Sequence, residues 1–131
     1  HLAEIGETLH MLQSTATDEL YFIPVRGCFS RGIFVTLYTD CSVSEEELYK
    51  IYNEYYDDHS FTHISTKPID LKQVVNTNKC LIHIEKKGNK VLITSAIDNL
   101  LKGASGTAVH NMNLLFGLKE TVGLMLKPSA F

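Results

Sequence analysis

Apolar residues recur with a helical period in three parts of this chain, and that period predicts three helices. The helices cover residues 1–14, 44–57 and 99–117. Ser44 and Glu47 form a capping-box pattern at the start of the second helix, whose acidic first turn suits the helix dipole. The apolar stripes of the first two helices are Leu2, Ile5, Leu9 and Leu12, then Leu48, Ile51, Tyr52 and Tyr55.

Alternating or continuous apolar runs elsewhere predict strands. They cover residues 18–27, 30–40, 61–65 and 71–77 and the two halves of a hairpin over 80–97. Pro24 indicates an edge or bulge in the first strand, and Lys87-Gly88-Asn89 forms the hairpin turn. The second strand is apolar on both faces, so we expect a sheet covered on both sides. The element order predicts one α+β domain with a mostly antiparallel or mixed sheet covered by helices.

The third helical stretch contains glycines where helices ordinarily avoid them. Gly103 and Gly106 enclose Ala104 and Ser105 near its start, although Gly costs about 1 kcal/mol relative to Ala inside a helix. Two explanations are open: close packing against another element, or close approach of a ligand to the backbone. The stretch has neither a GxGxxG phosphate motif nor the GK[ST] end of a P-loop. Gly117 is placed to end the helix.

The composition narrows the class of protein. The 131 residues include 44% hydrophobic and 21% charged residues, which is typical of a soluble globular domain. The net charge of −3 gives no support for nucleic-acid binding. We expect no membrane span, because no apolar run approaches about 18 residues, and no signal peptide. Three cysteines without a CxxC pair favour free thiols in the reducing cytoplasm. Because the first residue is His1 rather than Met, we expect a piece of a longer chain.

A few side chains are candidates for chemistry. Arg26 and Arg31, each followed by glycine, flank the connection between the first two predicted strands and are suited to holding an anion. Two solvated arginines are an equal alternative. They also lie near Cys28, whose thiol a positive environment can activate, although a structural role is favoured. His59 and His63 straddle a predicted helix end and strand start, so the sequence predicts no metal site.

Three segments, together with the last five residues of the chain, resemble a known family, the N-acetyl-gamma-glutamyl-phosphate reductases. The segment DNLLKGASGTAVHNMNLLFGL resembles the family pattern DNLxKGASGQAxQNMNxxxGL, and IPVRGCFSRGIFVTLYT resembles PMxRGxxxTxY. HLAEI resembles the second half of HRHxPEI, with Ala3 where proline is usual, and KPSAF resembles the end of such chains. Together these segments extend over nearly the whole chain.

The resemblance implies an NADPH-dependent reductase of arginine biosynthesis, similar in plan to glyceraldehyde-3-phosphate dehydrogenase. Residues 1–131 would form its C-terminal α+β domain, which supplies the dimer interface through the sheet and part of the substrate site. A helix over about 99–117 would return against an N-terminal Rossmann domain. That domain would carry most of the NADP(H) site and the catalytic cysteine, so this chain alone is expected to be inactive.

The resemblance also implies roles for single residues. Proton transfer falls to His1, which matches the second histidine of the HRH motif, or to the first histidine, which lies upstream of this chain. Substrate binding is implied for Arg26 and Arg31, and no residue is implied as a metal ligand. Contact with the cofactor is implied for Asn99, Gly103, Ala104 and Ser105. Two alternatives remain open. One is a non-catalytic dimerisation or binding module, since fold alone does not decide function. The other is a different acyl-phosphate or semialdehyde dehydrogenase, and the acyl group itself can be acetyl or succinyl.

Overall fold

The computed structural model of the chain describes residues 1–15 and 19–128. Residue 18, where the first predicted strand would begin, and the last three residues of KPSAF lie outside the described residues. The helices and strands are α1 (Leu2–Leu12), β1 (Ile33–Asp40), α2 (Glu45–Tyr56), β2 (Thr62–Ser65), β3 (Cys80–Lys87), β4 (Lys90–Ile97) and α3 (Gly106–Leu115). A 3₁₀ turn at Leu71–Gln73 precedes β3, and a π-helical turn at Leu101–Ser105 precedes α3.

The four strands form one mixed sheet in the order β1-β4-β3-β2. β4 is antiparallel to both β1 and β3, whereas β2 runs parallel to β3. The predicted hairpin is confirmed: β3 and β4 are joined at Gly88, whose φ of +62° is a conformation that glycine adopts readily. The predicted α+β class is therefore confirmed.

Helix α2 covers one face of the sheet. The predicted cap is confirmed, because the Ser44 hydroxyl accepts a hydrogen bond from the Glu47 backbone N–H at 3.2 Å. Leu48 packs with Ile82, Ile84 and Val91 in the first core cluster. The predicted stripe is half confirmed, because Leu48 and Tyr52 pack in or against the cluster. Ile51 and Tyr55 are exposed, and Tyr49 and Tyr56 pack against the cluster instead. The face of α2 that packs on the sheet is thus rotated from the predicted face towards Tyr49 and Tyr56.

The segment over 71–77 is not the predicted strand. Asp70 starts a 3₁₀ turn there, accepting a hydrogen bond from the Lys72 N–H at 2.7 Å, while the side chain of Gln73 reaches back to the backbone N–H of Asp70. This capping box satisfies the backbone locally, so the segment does not join the sheet. Its apolar residues still reach the core, because Val74 packs with Ile69 and Ala96 in a second cluster.

The predicted strand over 18–27 is also wrong within the described residues: residues 19–32 have no regular structure. Consequently β1 is an edge strand, and every one of its eight residues is exposed. The expected cover on both faces of this strand is therefore absent from the described part of the chain.

Helix α1 likewise buries none of its residues. Among the helices described, none is long and apolar enough to cross a membrane.

Candidate functional site

A fully buried carboxylate, Asp98, lies where β4 ends and the π-helical turn begins. Its Oδ1 accepts hydrogen bonds from the backbone N–H groups of Leu100 at 2.8 Å and Leu101 at 2.9 Å. Its Oδ2 accepts from the Asn76 N–H at 2.7 Å. Asp98 therefore caps the turn on one side and holds a separate loop on the other.

Arg31 completes this cluster. Its Nη1 lies 3.5 Å from Asp98 Oδ2 and donates to the side-chain oxygen of Asn76. Burial by itself raises the pKa of Asp98, but the three backbone N–H donors and the Arg31 guanidinium outweigh it and hold that pKa below its ordinary value. Asp98 is therefore an anion at neutral pH. Within the described residues the hydrogen bonds of Arg31 use only Nη1, which leaves Nη2 and Nε to face another group.

Asn99 connects the turn to the start of β1. Its Oδ1 accepts a hydrogen bond from the Gly32 backbone N–H at 2.7 Å, which fixes the orientation of the amide and leaves Nδ2 as a donor. Gly32 has a φ of +117°, and a Cβ there would lie 2.7 Å from a methyl group of Leu71. The positive φ strains any other residue at this position, and a Cβ would also make the Leu71 side chain move.

The backbone after Asn99 is wound as a π-helix, which is rare and frequent at functional sites. The Gly103 N–H donates to the Asp98 carbonyl at 2.9 Å, and Ser105 donates to the Leu100 carbonyl through its N–H at 3.0 Å and its hydroxyl at 2.8 Å. Residues Gly103, Ala104 and Ser105 are all exposed. The predicted single helix over 99–117 is thus a π-helical turn followed by α3.

The two glycines of this stretch have different reasons to exist. At Gly106 a Cβ would lie 1.7 Å from Asn78 Oδ1 and 2.8 Å from the Leu101 carbonyl oxygen, so packing inside the chain requires glycine. At Gly103 the nearest atom to a Cβ would be the Asp98 carbonyl oxygen at 3.5 Å, an ordinary contact. Packing within the described residues therefore explains Gly106 and leaves Gly103 open to an approach from outside.

The far end of α3 is held by a second polar network. One carboxylate oxygen of Glu120 accepts from the Ser60 hydroxyl, and the other lies 3.0 Å from His110 Nε2. These side-chain hydrogen bonds, from Ser60 and then His110, lower the pKa of Glu120. The buried amides of Asn113 and Asn78 donate to backbone carbonyls of residues 120, 122 and 124. This network fixes the C-terminal segment against α3.

Gly117 ends α3 as predicted. It has a φ of +66°; its N–H bonds the Leu114 carbonyl at 3.2 Å, and the Leu118 N–H bonds the Asn113 carbonyl at 2.8 Å. These two bonds form a Schellman motif, which satisfies carbonyls at the end of the helix.

Of the residues predicted for the site, the structure brings Arg31 and Asn99 together. They are linked through Asp98, the residue next to Asn99, and through Gly32, the residue next to Arg31. Two of the other candidates, Arg26 and His1, do not join this cluster within the described residues. Arg26 is exposed, and the contacts of His1 are with Glu4, 3.3 Å from its ammonium, and with the ring of Phe22 at 6.3 Å between centroids.

His59 and His63 line one open groove of about 410 Å³ together with Asn53, Tyr56 and Asp57. Burial, followed by the nearby Lys79, lowers the pKa of His63, which keeps its imidazole neutral. No group of three or more metal-ligating side chains occurs among the described residues. Cys28 is exposed and all three cysteines are free.

The sequence reasoning missed Asp98 and Asn76. An aspartate directly after an apolar strand and before a helix is an N-cap signal, and it was available in the printed sequence. Nothing in the local pattern indicated that the loop at Asn76 would bond to Asp98, because that contact depends on the tertiary fold.

The comparison with known protein families decides the membership of the chain. A family described as semialdehyde dehydrogenase, dimerisation domain, matches residues 1–99. The chain belongs to this family. The matched part of this dimerisation domain includes Arg31, Asn76, Asp98 and Asn99, and it ends before the π-helical turn.

Similar proteins extend the likeness over the whole chain. Proteins from Parabacteroides distasonis, Phocaeicola vulgatus and Bacteroides thetaiotaomicron are 68%, 64% and 63% identical to it over 131 residues, and each is named N-acetyl-gamma-glutamyl-phosphate reductase. These matches include all of the chain but only 41% of the length of each relative. The family resemblance inferred from the three segments is confirmed.

Proposed function

We propose that the full-length protein is an NADPH-dependent N-acetyl-gamma-glutamyl-phosphate reductase of arginine biosynthesis. The reaction converts an acyl phosphate, NADPH and a proton to an aldehyde, NADP⁺ and inorganic phosphate. Relatives that carry this name are up to 68% identical to the chain, which supports the assignment. The chain spans 41% of their length, so we assign residues 1–131 to the dimerisation and substrate domain and the remaining machinery to an N-terminal Rossmann domain.

The observation that carries the proposal is the link between Arg31 and Asn99. The substrate bears phosphate and carboxylate groups, and the cofactor bears an amide. Within the described residues the Nη2 and Nε donors of Arg31 make no hydrogen bond, and they suit an anionic oxygen. The Nδ2 donor of Asn99 likewise makes no hydrogen bond there, and it suits the carbonyl oxygen of a carboxamide. Two donors of the required kinds thus lie in one cluster built around Asp98.

The residues present fit one end of a nicotinamide cofactor. The open backbone at Gly103 lets a flat ring approach the turn, and the exposed Ala104 and Ser105 border that approach. The glycine loop that binds a pyrophosphate is not in this sequence, so we assign that part of NADPH to the N-terminal domain. The bound cofactor supplies the hydride.

Within the reaction, this chain orients and the N-terminal domain supplies the nucleophile. Arg31 holds the anionic substrate, with Arg26 added from the exposed segment before β1 when the substrate is present. Asn99 holds the carboxamide in one orientation, and small errors in such positioning are costly in rate. His1, at the N-terminus of α1, transfers the proton. The three free thiols suit the reducing cytoplasm, where we place the protein.

We further propose that the protein is a homodimer formed through its sheet. β1 exposes apolar side chains on both faces, among them Phe34, Val35 and Tyr38, and lies at the sheet edge. Exposed apolar surface of this kind marks an interaction site, and the family description names dimerisation. A two-fold contact is the commonest arrangement for such a surface.

The test is turnover by the purified full-length protein, followed by NADPH oxidation and phosphate release. Three substrates separate the alternatives: N-acetyl-gamma-glutamyl phosphate, its N-succinyl analogue and aspartyl phosphate. We expect the highest kcat/KM for the N-acetyl compound. A preference for aspartyl phosphate would assign the protein to another semialdehyde dehydrogenase. Absence of turnover with all three would favour a non-catalytic module.

A further inference from the structure

Asp98 differs from every other acidic residue described in this chain. Its carboxylate has no exposed surface, yet it carries three backbone hydrogen bonds and an arginine contact. A buried carboxylate is stable only when its charge and lone pairs are compensated in this way. The compensation comes from segments that are far apart in sequence.

Each oxygen of Asp98 serves a different segment. Oδ1 binds the backbone of Leu100 and Leu101 and so fixes the first turn after Asn99. Oδ2 binds the loop at Asn76 and lies 3.5 Å from Arg31. The side chain therefore sets the position of the turn relative to the guanidinium.

A second contact connects the turn to the segment that carries Arg31. Asn99 accepts the N–H of Gly32, the residue directly after Arg31. A movement of the turn therefore moves the backbone that carries Arg31, and a movement of Arg31 releases one of the groups that compensate Asp98. The two site residues are coupled twice, once through a side chain and once through the backbone.

We infer that Asp98 is a positioning residue that holds Arg31 and Asn99 at a fixed separation. The anionic substrate and the nicotinamide carboxamide are then bound at a fixed distance and orientation relative to each other. This role rests on the proposed function and extends it to a residue that touches neither ligand. Because rigid support of this kind sets the geometry of catalytic groups, its loss affects both substrate binding and the rate of turnover.

The experiment compares Asp98→Asn with Glu120→Gln in the full-length protein. Both changes replace a carboxylate that has a lowered pKa by its amide, but Glu120 binds Ser60 and His110 and fixes the C-terminal segment. We expect Asp98→Asn to raise the KM for the acyl phosphate and to lower kcat, each by about tenfold. Glu120→Gln is expected to leave both within about twofold after comparison at equal distance below Tm. Equal losses in the two variants would overturn the inference.

A double-mutant cycle with Arg31→Gln tests whether Asp98 acts through Arg31. If it does, the KM of the double variant equals that of Arg31→Gln alone. Effects of the two changes that multiply would show that Asp98 acts independently of Arg31, and the inference would then be wrong.

A readout without turnover separates this inference from the proposed function. Hydrogen exchange of the Gly32 amide in the full-length protein reports on the Asn99 connection directly. Asp98→Asn is expected to speed that exchange at least tenfold, whereas Glu120→Gln leaves it unchanged. Unchanged exchange in Asp98→Asn refutes the positioning role whatever the activity. Faster exchange in a protein without reductase activity supports the positioning role and rejects the proposed function.

If Asp98→Asn does not fold, Arg31→Gln tests the same connection from its partly exposed end. We then expect faster exchange at the amides of Asn76, Leu100 and Leu101, because Asp98 loses its cationic partner. Exchange at these amides equal to wild type would overturn the inference.

Discussion

Replacing the two glycines of the π-helical region one at a time should have opposite effects on stability. In Gly106→Ala the new Cβ would lie 1.7 Å from Asn78 Oδ1 and 2.8 Å from the Leu101 carbonyl oxygen. Asn78 has little freedom to move, because it is 3% exposed and its Nδ2 donates to the Leu124 carbonyl at 2.9 Å. The Leu101 oxygen is backbone and is fixed by the turn.

The magnitude follows from three contributions. Alanine is about 1 kcal/mol better than glycine in a helix. Overpacking costs about 1–3 kcal/mol, and loss of the buried Asn78 hydrogen bond costs about 1–3 kcal/mol more. We therefore expect Gly106→Ala to destabilise the protein by about 1–5 kcal/mol. In Gly103→Ala the nearest atoms, at 3.5 and 3.7 Å, are in ordinary contact, so stability should be unchanged or should rise by up to about 1 kcal/mol.

The assay is thermal unfolding of the two full-length variants beside wild type, with kcat measured well below Tm. Gly106→Ala should lower Tm by at least about 2 °C. Gly103→Ala should keep or raise Tm but reduce kcat, because its added methyl group occupies the surface that we assign to the cofactor. Equal Tm values for the two variants would refute the packing argument. Full activity in Gly103→Ala would remove Gly103 from the cofactor site.

Three further predictions concern charge, the cofactor and assembly. The pKa of Asp98 is lower in the folded protein than in the unfolded chain. Its stabilising contribution is therefore complete above about pH 5 and is lost as pH falls through the lowered value. Tm measured from pH 6 to pH 2 should fall less steeply in Asp98→Asn than in wild type. Asn99→Asp keeps the acceptor for the Gly32 N–H but removes the Nδ2 donor. We therefore expect kcat to fall by about tenfold to a hundredfold with little change in NADPH affinity. An unchanged kcat would exclude the carboxamide contact. Light scattering of the full-length protein should give the mass of a dimer. Val35→Asp on β1 should shift the mass towards the monomer, while Val25→Asp in the exposed loop should not. A monomeric wild type would contradict assembly through the sheet.

Elements with a strong local signal were predictable from the sequence. The hairpin of β3 and β4, the Ser44 cap of α2 and the Gly117 end of α3 each depend on neighbouring residues, and each is confirmed. The strand predicted over 71–77 failed because the Asp70 capping box, also a local signal, satisfies the backbone there. In that segment the turn signal overrides the apolar content.

The site was only half predictable. Arg31 was a candidate from its glycine-flanked basic loop, whereas Asn99 entered only through the family resemblance. Their connection became visible only in the fold, where Asp98 contacts Arg31 and the turn after Asn99. The strand predicted over 18–27 has suitable apolar residues, but strand formation needs a partner edge, and pairing is a tertiary property that composition does not encode. The π-helical winding likewise needs Asp98 and Leu100 as acceptors at the correct positions.

The bond between Gly32 and Asn99 joins residues that are 67 positions apart. Contacts of such long sequence separation form slowly, because the chain between them must first be closed into a loop. The local β3-β4 hairpin can form early, whereas the Arg31 segment must wait for the β1 pairing that brings it to the turn. We therefore expect the hairpin to form before these long-range contacts and the candidate site to be among the last parts of the chain to become native.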